Sequence, residues 1–118
     1  MANFLFVYRG GDEDYAKLSP DEIQKLMQKW QNWIGEAMQK GWMLDPGDAL
    51  TQEGRVVNAK KVVTDGPFVE SKEVVGGFSI VKAESIDAAA ELAKGCPALI
   101  TGGKVEVRPL AGLASKGP

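Results

Sequence analysis

Histidine is absent from this chain of 118 residues. That absence removes Ser-His-Asp and Cys-His nucleophilic systems, histidine general bases, paired-histidine metal sites and the usual imidazole pH switch. Any catalysis has to use carboxylates, lysine, tyrosine or arginine. Cysteine is nearly as scarce: one thiol, Cys96, forms no internal disulfide and supplies no zinc-finger ligand set, so apolar burial must carry the fold. Long apolar runs are missing too. The longest, Phe4 to Tyr8, is far short of the roughly 20 residues of a membrane span, and no membrane partner is expected. Nor is there an excess of basic charge: 14 Lys and Arg stand against 16 Asp and Glu, a net charge of -2, which argues against nucleic acid as a partner. Met1-Ala2-Asn3 has no basic leader region, so a cytoplasmic protein is expected.

The composition that remains, 44% apolar and 25% charged, suits one globular domain. That domain is expected over residues 1–110, with 111–118 as a flexible tail. A domain of this size buries a modest fraction of its surface, and deep pockets in such chains often form between subunits, which makes a homodimer the expected state.

Asn3 to Tyr8 is apolar on both alternating faces and reads as a central strand. Arg9 to Leu18, with Gly10, Gly11 and three acidic residues, has no period and reads as a loop. Ser19-Pro20-Asp21-Glu22 combines a serine N-cap, a proline at the first helical position and a glutamate three residues after the cap. From there Ile23, Leu26, Met27, Trp30, Trp33, Ile34 and Ala37 form one apolar stripe, ended by Lys40-Gly41. On that stripe Trp30 and Trp33 read as core packing rather than ligand stacking.

Asp45-Pro46-Gly47-Asp48 reads as a turn cluster, and Arg55–Val57 with Lys61–Thr64 as a hairpin with an exposed edge. Val74 to Ala83 resumes a strand, with Phe78 and Ile80 on one face, Ser79 and Val81 on the other, and a bulge at Gly76-Gly77. A short alanine-rich helix follows the Ser85 cap, and Lys104 to Pro109 alternates as a last strand with Val105 and Val107 facing the core. The order is a β-α-β-β-α-β plan: α+β, ferredoxin-like, an antiparallel sheet with both helices on one face. The second face of the first strand then needs cover, which a face-to-face homodimer would provide.

Asp65 suits either a general base at a partly buried turn or an acceptor for backbone N–H groups that fixes the turn. Glu70 and Lys72, two residues apart, suit either an acid–base pair or a solvated ion pair. Arg108, beside Glu106 on one face of the last strand, suits a clamp for a carboxylate or phosphate, or an intersubunit salt bridge. Tyr8 ends the first strand and could present its hydroxyl to a pocket or pack with a hydrogen-bonded tip. Phe68 and Phe78 are the aromatic candidates for substrate contact. Cys96 lacks any activating neighbour and reads as structural. Asp12, Glu13, Asp14, Asp45 and Asp48 lack the spacing of a calcium loop, and no motif implies a metal or cofactor.

The stretch Thr64-Asp65-Gly66-Pro67-Phe68-Val69-Glu70-Ser71-Lys72-Glu73, followed by Gly76-Gly77-Phe78, Lys94-Gly95-Cys96-Pro97 and Val105-Glu106-Val107-Arg108-Pro109, resembles the YCII-related proteins of the DGPF-domain type. The resemblance implies a dimeric α+β barrel with a cleft near the subunit interface and a biochemical role that is unassigned, either a small-molecule-binding or regulatory module or a histidine-independent lyase or isomerase. The histidine-aspartate pair attributed to some relatives has no counterpart in this chain.

Overall fold

The computed structural model describes residues 1–66 and 73–112. Its centre is β1 (Ala2–Arg9), whose alternation sends Phe4, Phe6 and Tyr8 to one face and Leu5 and Val7 to the other. A short helix α1 (Asp12–Ala16) follows, inside the stretch expected to be a loop; five residues are too few to show a helical period in the sequence. The long helix α2 (Pro20–Gln39) starts where the serine signal placed it. Ser19 Oγ accepts from the Glu22 N–H at 3.2 Å, Glu22 accepts from the Ser19 N–H at 3.0 Å, and such a cap stabilises by about 1 kcal/mol.

The expected turn cluster is instead a strand, β2 (Met43–Ala49). Its pairing with the later strand β5 (Val75–Ala83) shifts register twice, between Met43 and Asp45 and between Asp45 and Asp48. Proline is tolerated here because β2 lies at the sheet edge and the irregularity absorbs it. The expected hairpin, β3 (Arg55–Val57) with β4 (Val63–Asp65), forms a separate two-stranded sheet and leaves the second-strand role to β2. After β5 come α3 (Ile86–Ala93), capped by Ser85, a 3-10 turn over Pro97–Thr101, and β6 (Lys104–Pro109).

The main sheet has the order β2-β5-β1-β6 with every neighbouring pair antiparallel, the split βαβ topology of the ferredoxin-like plan. The helices α2 and α3 pack on the Phe4 and Phe6 face, where Ala37, Ala89, Ala93, Met43 and Val81 close the core. Val105 and Val107 pack against that core as the alternation requires. The opposite face carries cross-strand rows in which Leu5 pairs with Ile80 and Val7 with Phe78. The smallest extent is 22 Å, room for one sheet and one layer of helices.

Candidate functional site

A row of aromatic rings leads out of the core. Phe6 stacks with Trp33 at a centroid distance of 6.5 Å, Trp33 meets Trp30 edge-on at 5.9 Å, and Trp30 meets Tyr8 edge-on at 5.1 Å. Trp33 is the packing residue its place on the stripe predicts. Trp30, one helical turn earlier, also forms a wall of a cleft of about 390 Å³. The cleft lies between the end of β1, α1, the middle of α2 and the irregular stretch of β2, against the glycine-rich start of β5.

Two glycines make this geometry possible. Gly47 has φ +67°, and a Cβ there would run into the Phe78 carbonyl. A Cβ on Gly77 would stand 2.8 Å from the Asp48 carbonyl oxygen. β2 therefore approaches β5 more closely than side chains allow, and the bulge expected at Gly76-Gly77 is present as a register shift against Tyr8 and Arg9.

The polar floor of the cleft is a short relay. Tyr8 Oη donates to Ser79 Oγ at 2.7 Å, and Ser79 Oγ donates to the Pro46 carbonyl at 2.7 Å. A carbonyl only accepts, so Ser79 must spend its proton on Pro46 and take the one from Tyr8. Burial pushes the Tyr8 phenol well above its ordinary value, so it stays neutral. The charged residues among those lining the cleft are Arg9, Asp12 and Asp48; strand alternation and the Asp48–Phe78 pairing put the side chains of Arg9 and Asp48 on the sheet face opposite Tyr8. Arg9 is engaged elsewhere: its Nε donates to Glu106 at 2.6 Å and its Nη1 to the Glu73 carbonyl at 2.9 Å. Glu106 also accepts from Arg108 at 3.1 Å, and these two arginines, Arg9 first, hold its carboxyl below the usual range.

Of the residues singled out from sequence, Tyr8 and Phe78 are among those lining the cleft, Phe78 from a strand position whose side chain belongs to the Val7 row on the other face. Asp65 lies on the hairpin, its side chain 81% exposed and 3.5 Å from Arg55. Arg108 is exposed on the face away from the helices and bound to Glu106. Phe68, Glu70 and Lys72 lie outside the described residues. Cys96 is buried, and burial pushes its thiol up to about 12, which suits packing and not nucleophilic chemistry. Ser79 is not among the sequence candidates, and Asp12 and Asp48 enter the sequence reading only as acidic loop residues without the spacing of a calcium loop. Ser79 had one legible signal, as a polar residue in the inward row Gly77, Ser79, Val81, Ala83. The two aspartates had none beyond their loops.

The YCII-related domain matches residues 15–111, most of the chain. The chain belongs to the YCII-related family. This YCII-related chain is similar, over 88% of its length and 90% of the other, to the solved structure of 5-chloro-2-hydroxyhydroquinone dehydrochlorinase (TftG) from Burkholderia phenoliruptrix AC1100 in complex with 2,5-dihydroxybenzoquinone, at 18% identity and a TM-score of 0.40. No curated protein matches it. Among the described residues of this YCII-related chain no helix is long and apolar enough to cross a membrane, and no group of three His, Cys, Asp or Glu side chains could hold a metal ion.

Proposed function

We propose that this protein is a small-molecule-binding member of the YCII-related family, of the DGPF type, working as a cytoplasmic homodimer with the Trp30–Tyr8 cleft as its binding site. The observation that carries this reading is the cleft itself. Its volume of about 390 Å³ falls in the range of ligand sites, and its aromatic walls surround a relay whose protons are all assigned. The homodimer is supported by the apolar rows Leu5–Ile80 and Val7–Phe78 on the face opposite the helices.

Carboxylate acid–base catalysis is the second reading, favoured by Asp12 among the residues lining the cleft. Asp65, Glu70 and Lys72 are its further candidates, with Phe68 and Arg108 in contact with substrate.

The test is a thermal-shift screen of the full chain against a metabolite library, repeated with Met27→Ala and Asp65→Asn. Met27 is an exposed wall residue of the cleft, so its truncation spares the core. Hits that stabilise wild type and Asp65→Asn but are weakened in Met27→Ala support the cleft. Hits lost only in Asp65→Asn move the site to the hairpin, and silence from a cooperatively melting protein overturns the binding role.

A further inference from the structure

The short helix α1 stands at the cleft with a hollow on each side of it. Asp12 and Tyr15, three residues apart and so on one helix face, line the cleft. Asp14, with Lys17 and Leu18 just past the helix end, lines a second hollow of about 440 Å³ on the other side. Leu26 and Thr101 belong to both linings, so the two hollows adjoin and α1 runs between them. Little holds the helix in that place. None of its five residues is buried, and Tyr15 is 42% exposed although it forms part of the cleft wall. A helix this short is not stable by itself, because the cost of its first turn is recovered only over many residues or by burying an apolar face.

The chain enters α1 through Gly10 and Gly11, at φ +72° and +84°. Two consecutive glycines, free to turn to either hand, make a pivot. Gly11 also needs the space, since a Cβ there would stand 3.1 Å from Thr101 Oγ1 and 3.2 Å from the Thr101 carbonyl oxygen. Both ends of the segment are anchored. The Gly10 N–H donates to the Val74 carbonyl at 3.0 Å, and the Ser19 capping box starts α2 directly after Leu18.

We propose that α1 is a lid. It pivots at Gly10-Gly11 between the second hollow and the cleft, and in closing it carries the Tyr15 ring and the Asp12 carboxylate over a molecule seated against Trp30. Closure of this kind shuts water out of a site and sets the rates of entry and release, on a microsecond-to-millisecond timescale. The inference rests on the cleft reading and gives that site its moving part.

NMR relaxation dispersion on the free full-length protein tests this without a ligand. The amides of Asp12 to Leu18 and the indole N–H of Trp30 should exchange at one shared rate in the microsecond-to-millisecond range. The indoles of Trp33 and Trp42, packed against the core, should stay flat. Tyr15→Ala, at an exposed position, should abolish the Trp30 dispersion and leave that of the α1 amides, because the ring that passes over Trp30 is gone while the pivot remains. Hydrogen exchange gives a second measure. The Tyr15 N–H and the Ile23 N–H donate to the Gly11 and Ser19 carbonyls at the same 2.9 Å, yet Tyr15 should exchange at least about tenfold faster. Flat α1 amides, α1 exchange that Trp30 does not share, or a Trp30 dispersion that survives Tyr15→Ala overturns the lid, as does a Tyr15 N–H as slow as that of Ile23. Each of those results leaves the cleft as a binding site, which falls only with a silent library screen, and a silent screen leaves the motion measured in the free protein in place.

Discussion

Tyr8 and Ser79 share a 2.7 Å hydrogen bond whose direction is set by a third group, the Pro46 carbonyl. The two ends of this relay are therefore unequal. Ser79→Ala leaves the Tyr8 hydroxyl and the Pro46 carbonyl without their partner and should cost about 1–3 kcal/mol. Tyr8→Phe removes one donor and leaves Ser79 bonded to Pro46, at about 1 kcal/mol. Urea unfolding of both variants checks the order, and equal losses would show that the relay has no fixed direction.

Gly47→Ala places a methyl group against the Phe78 carbonyl at a positive φ. The loss should exceed about 1 kcal/mol, since neither strain nor clash can relax through a flexible side chain. Protection of the Leu50 N–H, which donates to the Gly76 carbonyl at 2.9 Å, should fall in hydrogen exchange as β2 leaves β5.

Stability should fall on the alkaline side. Burial raises the Cys96 thiol from an ordinary 9.0 to about 12 and raises the Tyr8 phenol as well. Above pH 9 the unfolded chain releases protons that the folded chain keeps, so the slope of unfolding free energy with pH is negative there. The contribution is complete below the ordinary thiol value and is lost as pH rises toward the folded value. Urea unfolding between about pH 8 and about pH 10 measures the slope, and Cys96→Ala should reduce it.

The face of the sheet opposite the helices sets the oligomeric prediction. Sedimentation equilibrium should give a dimer for the wild-type chain and a monomer for Ile80→Glu, which puts a charge in the Leu5–Ile80 row. A wild-type monomer at micromolar concentration would remove the homodimer from the proposed function.

Most of the fold was legible because its signals are local. The Ser19 capping box, the stripe from Ile23 to Ala37 and the alternation of Lys104 to Pro109 each specify an element within a few residues. β2 was not legible, because Asp-Pro-Gly-Asp is turn chemistry and its strand character comes from pairing with β5, far along the chain. The cleft followed the same division. Tyr8 was found by its position at the end of a strand. Ser79 and Asp12 reach the cleft only when β2, β5 and α1 meet, and Asp65, in the stretch that carries the resemblance, lies on an exposed hairpin.

The defect in β2 also decides which way protons can run in the cleft. Pro46 and Gly47 fall in the gap between the pairs Asp45–Ile80 and Asp48–Phe78, and the Pro46 carbonyl takes its bond from the Ser79 side chain. A regular strand here would spend that carbonyl on the ladder, and the Ser79 hydroxyl could then turn toward Tyr8 as readily as away from it. By breaking step at Pro46, the backbone makes the serine a one-way valve, and the same slip that hid this strand in the sequence fixes the direction of the relay.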